Sequence, residues 1–356
     1  MPPKQLHNRL LGWFSKALGS DYSGTSAVRR GSLTHVIILD GTMSSLAQGQ
    51  ETNAGLTYRL LQEVGADLSL YYQAGVQWRD WHTTLDVMMG HGIDQQIKRA
   101  YGYLSSRFRP GDRIFLLGYS RGAFAVRSLA GVIDRVGLLR RQSATERNIR
   151  TAYRHYKYDT VSRTAQKFSM AHCHEDVSVE MVGAWDTVKA LGLRLPLLWR
   201  LTEGRHAYHN HQLSPVVKHG YHALALDETR EVFSPVLWEC SKSWDGRVEQ
   251  VWFRGAHGDI GGHLGDFHAA RPLANISLIW MLQKLQKRGV SLPRGWQDRF
   301  ETDAKAPMVG TWRSWGRVFL FRQSRVVGCD RSESIHPTAR PFVDAGVLKA
   351  FLAPPA

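Results

Sequence analysis

The stretch Arg113 to Val132, R-I-F-L-L-G-Y-S-R-G-A-F-A-V-R-S-L-A-G-V, leaves this chain few folds to choose from. Ile114 to Leu117 is an apolar run of the length of a buried strand. It stops at Gly118, and a small-residue and apolar segment with helical spacing begins after Gly122. Between them lies Gly118-Tyr119-Ser120-Arg121-Gly122, a G-x-S-x-G sequence in the strand-turn-helix context that a nucleophile elbow requires. Side chains flanking the serine would collide with the neighbouring strand and helix, which is why glycines stand there. Ser120 is then expected to be exposed at the carboxyl end of a sheet, with the helix N-terminus aimed at any anion formed beside it. The same five residues also suit a glycine-rich loop whose serine merely caps a helix.

Strand and helix patterns alternate around this stretch. His35-Val-Ile-Ile-Leu39 is too short and too β-branched for a helix, and it runs into Asp40-Gly41-Thr42. Thr52 to Val64 carries a helical pattern and Leu68 to Tyr72 a strand, followed by a Gly- and Trp-rich loop from Gly75 to Gly92. Ile93 to Leu104 is an amphipathic helix that ends before the Pro110-Gly111-Asp112 turn. Val177 to Trp185 and Val248 to Phe253 read as strands, Arg271 to Lys287 as a helix and Arg317 to Phe321 as a further strand. Leu213 to Arg230 closes as a helix start or a strand end. The rhythm predicts an α/β fold, a mostly parallel sheet with helices on both faces and ligand sites at the carboxyl ends of its strands. Its expected domain covers residues 31–290, with an amphipathic extension and linker over 1–30 and a C-terminal segment over 291–356 packed on the domain. Residues 193–221, rich in Pro, His and bulky apolar side chains, are a candidate insertion over the site.

Two strand ends supply partners for Ser120. One runs from Trp185 into Asp186, the other from Phe253 into Arg254-Gly-Ala-His257-Gly-Asp259-Ile-Gly-Gly262. Ser120, Asp186 and His257 thus follow the chain order of the α/β-hydrolases, each just beyond a strand. His257 is one of 16 histidines, and its glycine-freed loop after a strand sets it apart. Its imidazole would take the Ser120 proton and return it to the leaving group while Asp186 fixes the tautomer. Asp259 is a competing acid or a support behind His257. The N–H groups of Arg121 and of Gly41 or Thr42 are the candidate oxyanion donors. Asp40 reads as a carboxylate that holds the turn through backbone N–H groups. His257, Asp259, His263, Asp266 and His268 could alternatively bind a divalent ion, whereas the triad needs neither metal nor organic cofactor.

At 43% hydrophobic and 22% charged residues the composition is that of a globular enzyme. No apolar run approaches the ~20 residues of a membrane span. Leu10 to Leu18 is interrupted by Ser15 and Lys16, unlike a secretory signal. Cys173, Cys240 and Cys329 have neither a disulfide framework nor zinc-knuckle spacing. A reducing, cytoplasmic location is expected, or delivery by a secretion system that needs no signal peptide. The net charge of +15 favours anionic partners. No nucleic-acid-binding motif accompanies it, so no nucleic-acid partner is expected. Basic residues between Arg135 and Lys167, and Leu6, Leu10, Trp13, Phe14 and Leu18 beside Lys4, Arg9 and Lys16, suit peripheral contact with an anionic membrane. The basic residues suit a solvated helix face better, and the N-terminal segment a helix packed on its own domain.

Asp40-Gly41-Thr42, the elbow with Ala123-Phe-Ala-Val-Arg127 after it, Gly183-Ala-Trp-Asp-Thr-Val188, His222-Ala-Leu-Ala-Leu-Asp-Glu228 and Trp252-Phe-Arg-Gly-Ala-His-Gly-Asp-Ile-Gly-Gly262 together carry a resemblance. In this order they resemble the α/β-hydrolase family catalogued as domain of unknown function 2235, relatives of which are phospholipase effectors delivered by bacterial type VI secretion. The likeness runs from about Leu33 to Gln286. It implies a Ser120–Asp186–His257 triad and an esterase acting on lipids. The chain departs from the family pattern at Met43 and Ser44, at Gly258 and His263, and in a short counterpart of the effectors' large membrane-binding region. A catalytically silent binding module and a metal-dependent phosphoester hydrolase are the alternatives.

Overall fold

Seven strands make one sheet: β1 (Thr34–Leu39), β2 (Leu68–Gln73), β3 (Arg113–Tyr119), β4 (Met181–Trp185), β5 (Gly220–Ala225), β6 (Val248–Phe253) and β7 (Glu333–Ile335). The structure is a computed structural model that describes residues 31–65, 67–75, 91–158, 160–188, 212–240, 245–313 and 321–352. Strand order is β2-β1-β3-β4-β5-β6-β7, and every neighbouring pair is parallel. The expected mostly parallel sheet is thus parallel throughout its described strands. From β1 the chain first moves outward to β2, then crosses back to β3 and proceeds the other way. In a doubly wound sheet that reversal opens a crevice at the carboxyl ends of the strands. Leu39 is in register with Gly118, and Tyr119 with Trp185, so the ends of β1, β3 and β4 deliver Asp40, Ser120 and Asp186 from adjacent strands.

The helices are α1 (Asn53–Gln62), α2 (His91–Arg107), α3 (Arg121–Arg135), α4 (Glu146–Tyr158), α5 (Arg163–His172), α6 (His257–Gly261), α7 (Arg271–Lys287) and α8 (Ala345–Leu352). Strand alternation sorts them onto two faces. Ile37, Leu39, Ile114, Leu116 and Val182 form one core with the apolar sides of α2, α3 and α4. Val36, Ile38, Phe115, Leu117 and Met181 form the other with α1 and α7. Both faces of the central strands are buried, so their sequences run continuously apolar instead of alternating. Pro272 near the start of α7 suits a helix N-terminus, where its missing N–H costs nothing.

Local differences from the sequence expectations have simple causes. β4 begins only at Met181, where its pairing register with β3 starts at Phe115; before it the Glu180 N–H reaches the Ile114 carbonyl and Val179 bridges to Val217. The ambiguous Leu213 to Arg230 stretch contributes β5, whose six residues are all buried. Residues 1–30, 76–90 of the Gly- and Trp-rich loop, 193–211 of the candidate insertion and 317–320 of the further strand lie outside the described residues. No described helix is long and apolar enough to cross a membrane.

Candidate active site

β3 turns into α3 within a single residue, and that residue is Ser120, with φ 57° and ψ −121°. Such a backbone is strained for a residue with a side chain and recurs where function over-determines it. A Cβ at Gly118 would stand 2.5 Å from the Gly122 carbonyl oxygen, and one at Gly122 would stand 2.0 Å from that of Leu39. Only glycine fits either side of the serine. The Ser120 N–H donates to the Trp185 carbonyl (3.0 Å), which fastens the elbow to the end of β4. The serine is 7% exposed, less open than expected from the sequence, because its hydroxyl is engaged by a histidine and its backbone is enclosed by its neighbours.

That histidine is His257, the first residue of α6. Its Nε2 lies 2.9 Å from Ser120 Oγ, and its Nδ1 lies 2.6 Å from Asp186 Oδ2. Tyr119 and Phe233 stack on the ring, with centroids 4.9 and 4.8 Å away. The main chain of His257 is fixed as well: its N–H donates to Glu228 (3.1 Å), a buried carboxylate held in turn by Arg230. Asp186 is fully buried with φ 42° and accepts from the Ala225 N–H at 3.0 Å. Arg325 meets the carboxylate end-on through both terminal nitrogens, Nη1 to Oδ1 at 2.6 Å and Nη2 to Oδ2 at 2.9 Å. Burial alone would raise the carboxyl pKa, but Arg325 and then His257 hold it well below the usual carboxylate range. Behind the acid, buried His222 accepts from the Thr187 N–H, and burial pushes its pKa down to about 3, leaving it neutral.

The β1 end supplies the other wall. Asp40 Oδ1 accepts the Gly41 N–H at 2.7 Å, and Oδ2 accepts the hydroxyls of Thr52 (2.6 Å) and Tyr72 (2.7 Å). Thr52 Oγ1 also accepts the Gly55 N–H as the N-cap of α1, so one carboxylate ties together β1, β2 and a helix start. Gly41 is needed for close approach, since a Cβ there would stand 2.8 Å from the Tyr119 ring and 3.3 Å from Ser120 Cβ. Its N–H is already committed to Asp40. The N–H groups of Thr42 and Arg121 make no hydrogen bond among the described residues, and both residues line a small pocket with Asp40, Gly75, Ile93 and Gln96.

Asp259 stands behind His257 rather than beside it. Its oxygens accept the backbone N–H groups of Ala256 (2.9 Å), Val309 (2.7 Å) and Gly310 (3.3 Å), fastening α6 to a C-terminal loop. It therefore does not compete with Asp186 for the imidazole. No group of three His, Cys, Asp or Glu side chains among the described residues is arranged to hold a metal ion, which separates His263, Asp266 and His268 from any common centre with His257. Sequence reasoning missed Arg325, Phe233 and Tyr72. Arg325 lies in a tail without motif, Phe233 in a short 3₁₀ turn, and Tyr72 reads only as a strand residue.

A parallel doubly wound sheet with an elbow serine after β3, an aspartate after β4 and a histidine after β6 is an α/β-hydrolase-like architecture. The family of type VI secretion, phospholipase effector Tle1-like catalytic domains matches residues 34–284, and the chain belongs to that family. An uncharacterized protein of Saccharomyces cerevisiae is 30% identical over 225 residues, which cover 56% of this chain and 31% of that protein. The chain thus spans about a third of the length of this curated relative. An uncharacterized protein from Pseudomonas aeruginosa aligns in structure with TM-score 0.44 and 14% identity, over 87% of this chain and 55% of its own. The Tle1 effector bound to the VgrG spike of the type VI secretion system aligns with TM-score 0.33 and 17% identity, over 68% and 56%.

Proposed function

We propose that the chain is a serine esterase that cleaves carboxylic ester bonds, with phospholipid acyl chains as its substrate class. The observation that carries this reading is the unbroken relay from Ser120 Oγ through His257 to Asp186, at 2.9 and 2.6 Å. His257 Nε2 accepts the hydroxyl proton as Ser120 Oγ bonds to the ester carbonyl carbon, and the carbonyl oxygen becomes an oxyanion. The N–H groups of Arg121 and Thr42 stabilise that charge. Protonated His257 then gives its proton to the departing alcohol as the C–O bond breaks, leaving an acyl-enzyme on Ser120. Water repeats the sequence: His257 takes its proton, its oxygen bonds to the acyl carbon, and the proton returns to Ser120 as the fatty acid leaves. Family membership supports the lipid substrate, and the net charge of +15 supports approach to an anionic bilayer surface.

The test is fatty-acid release from vesicles of mixed anionic and zwitterionic phospholipids, with wild type and Ser120→Ala, each with and without EDTA. Wild type should release fatty acid equally in both conditions. Ser120→Ala should lose about 10³-fold or more. Release that survives Ser120→Ala, or that EDTA abolishes, would overturn the serine mechanism.

A further inference from the structure

Arg325 lies 41 residues beyond the end of the family match at residue 284, yet it reaches the site at three points. Besides its two bonds to Asp186, Nη1 donates to the Ala225 carbonyl at the end of β5 (2.8 Å) and Nη2 to the Phe233 carbonyl (2.6 Å). Its side chain is 4% exposed. Asp186 Oδ2 is shared, accepting from Arg325 on one side and lying 2.6 Å from His257 Nδ1 on the other. Phe233, whose carbonyl Arg325 holds, stacks on the same imidazole.

We propose that Arg325 is a positioning residue that tunes the basicity of His257 by sharing the charge of Asp186. The proposal rests on the triad reading above. A carboxylate beside an imidazole raises the imidazole's pKa, and a cation on the far side of that carboxylate opposes the rise. Arg325 acts on the imidazole through the carboxylate the two share, Asp186 Oδ2. The other groups around the pair do not duplicate this effect. Glu228 faces the main chain of His257 and is matched by Arg230, while Tyr119 and Phe233 cover the ring. His263 is a basic neighbour of His257, held toward its neutral form by burial, and His222, with buried Arg127 near it, is neutral behind Asp186. Among the described residues, Arg325 is the guanidinium in contact with the acid.

The role also gives the C-terminal segment a part in the chemistry. A catalytic domain cut at the end of the family match would keep serine, histidine and aspartate but lose the group that balances the acid.

The test is an NMR titration of His257 in the full chain, its signal assigned by its loss in His257→Gln. Wild type is compared with Arg325→Met, Arg325→Gln and Arg325→Lys. Both neutral variants should raise the His257 pKa by about one to two units, the size expected of one charge acting across a carboxylate in a partly screened interior. Arg325→Lys should stay within about half a unit of wild type, because it keeps the charge. The acidic limb of the kcat/KM profile should move up in pH by the same amount, a shift that a purely structural clamp would not produce. An unmoved His257 pKa in a neutral variant with native near-ultraviolet circular dichroism overturns the proposal. So does a lysine variant that titrates like the neutral ones. If neither neutral variant folds, Arg325 is a structural clamp and the proposal falls. The titration needs no turnover, so a wild type that releases no fatty acid defeats the phospholipid reading while the role of Arg325 is still decided.

Discussion

Asp40 and Asp186 occupy equivalent places and are surrounded in opposite ways. Each follows the last residue of a strand, on either side of β3, and each is fully buried. Among the described residues Asp40 meets neutral donors, the Gly41 N–H and the hydroxyls of Thr52, Tyr72 and Ser44. Burial raises its pKa, and the donors oppose that only in part. Asp186 meets the Arg325 guanidinium and the His257 imidazole, and its pKa falls despite complete burial. The charge of the surrounding groups therefore decides what a strand-end carboxylate does. Neutral donors make Asp40 a brace that fixes the backbone of the Gly41–Thr42 turn. A guanidinium and an imidazole keep Asp186 ionised, ready to face an imidazolium when one forms.

Removing the charge from each aspartate breaks this comparison most directly. Asp186→Asn should lower kcat for fatty-acid release by about 10⁴-fold, because the amide cannot stabilise the imidazolium and favours the wrong tautomer. It should also destabilise the fold by about 3–5 kcal/mol in urea unfolding, since Arg325 is left buried without its counter-charge. A loss of less than about tenfold in kcat would remove Asp186 from the relay. Asp40→Asn should cost less on both measures, about tenfold in kcat and about 1–3 kcal/mol, because it loosens a turn without touching the proton relay. Equal losses at the two positions would show that Asp40 does more than brace. Tyr72→Phe removes one of the hydroxyl donors to Asp40 and should cost about 0.5–1.5 kcal/mol, with kcat changed only a few-fold.

The sequence made some of this legible and hid the rest for physical reasons. Gly118 and Gly122 mark the elbow because any Cβ there would clash, and the buried ladders of β1, β3 and β4 force continuous apolar runs. Ser120, Asp186 and His257 each stand next to such a mark. Arg325 contacts an aspartate 139 positions away, and nothing in its own neighbourhood records that contact. β7 is three residues long, too short for a period to show. The commitment of the Gly41 N–H to Asp40 depends on how one turn closes, and among the described residues it leaves the Thr42 N–H as the candidate donor of that loop. Composition and spacing carry no information at that scale.

The finest test of the contrast is the sign of each aspartate's pH dependence. The folded pKa of Asp186 lies below the ordinary value of 3.8, so its contribution to stability is present above that value and is lost as pH falls toward the folded pKa. The folded pKa of Asp40 lies above 3.8, so its contribution is complete below 3.8 and is lost as pH rises through the raised value. Urea unfolding of both asparagine variants and wild type at several pH values between about 3 and 7 should therefore give opposite trends. On acidification, the cost of Asp186→Asn should shrink and the cost of Asp40→Asn should grow. Parallel trends would mean that the two carboxylates carry the same charge state in the folded protein, and the division between brace and charge reservoir would be wrong.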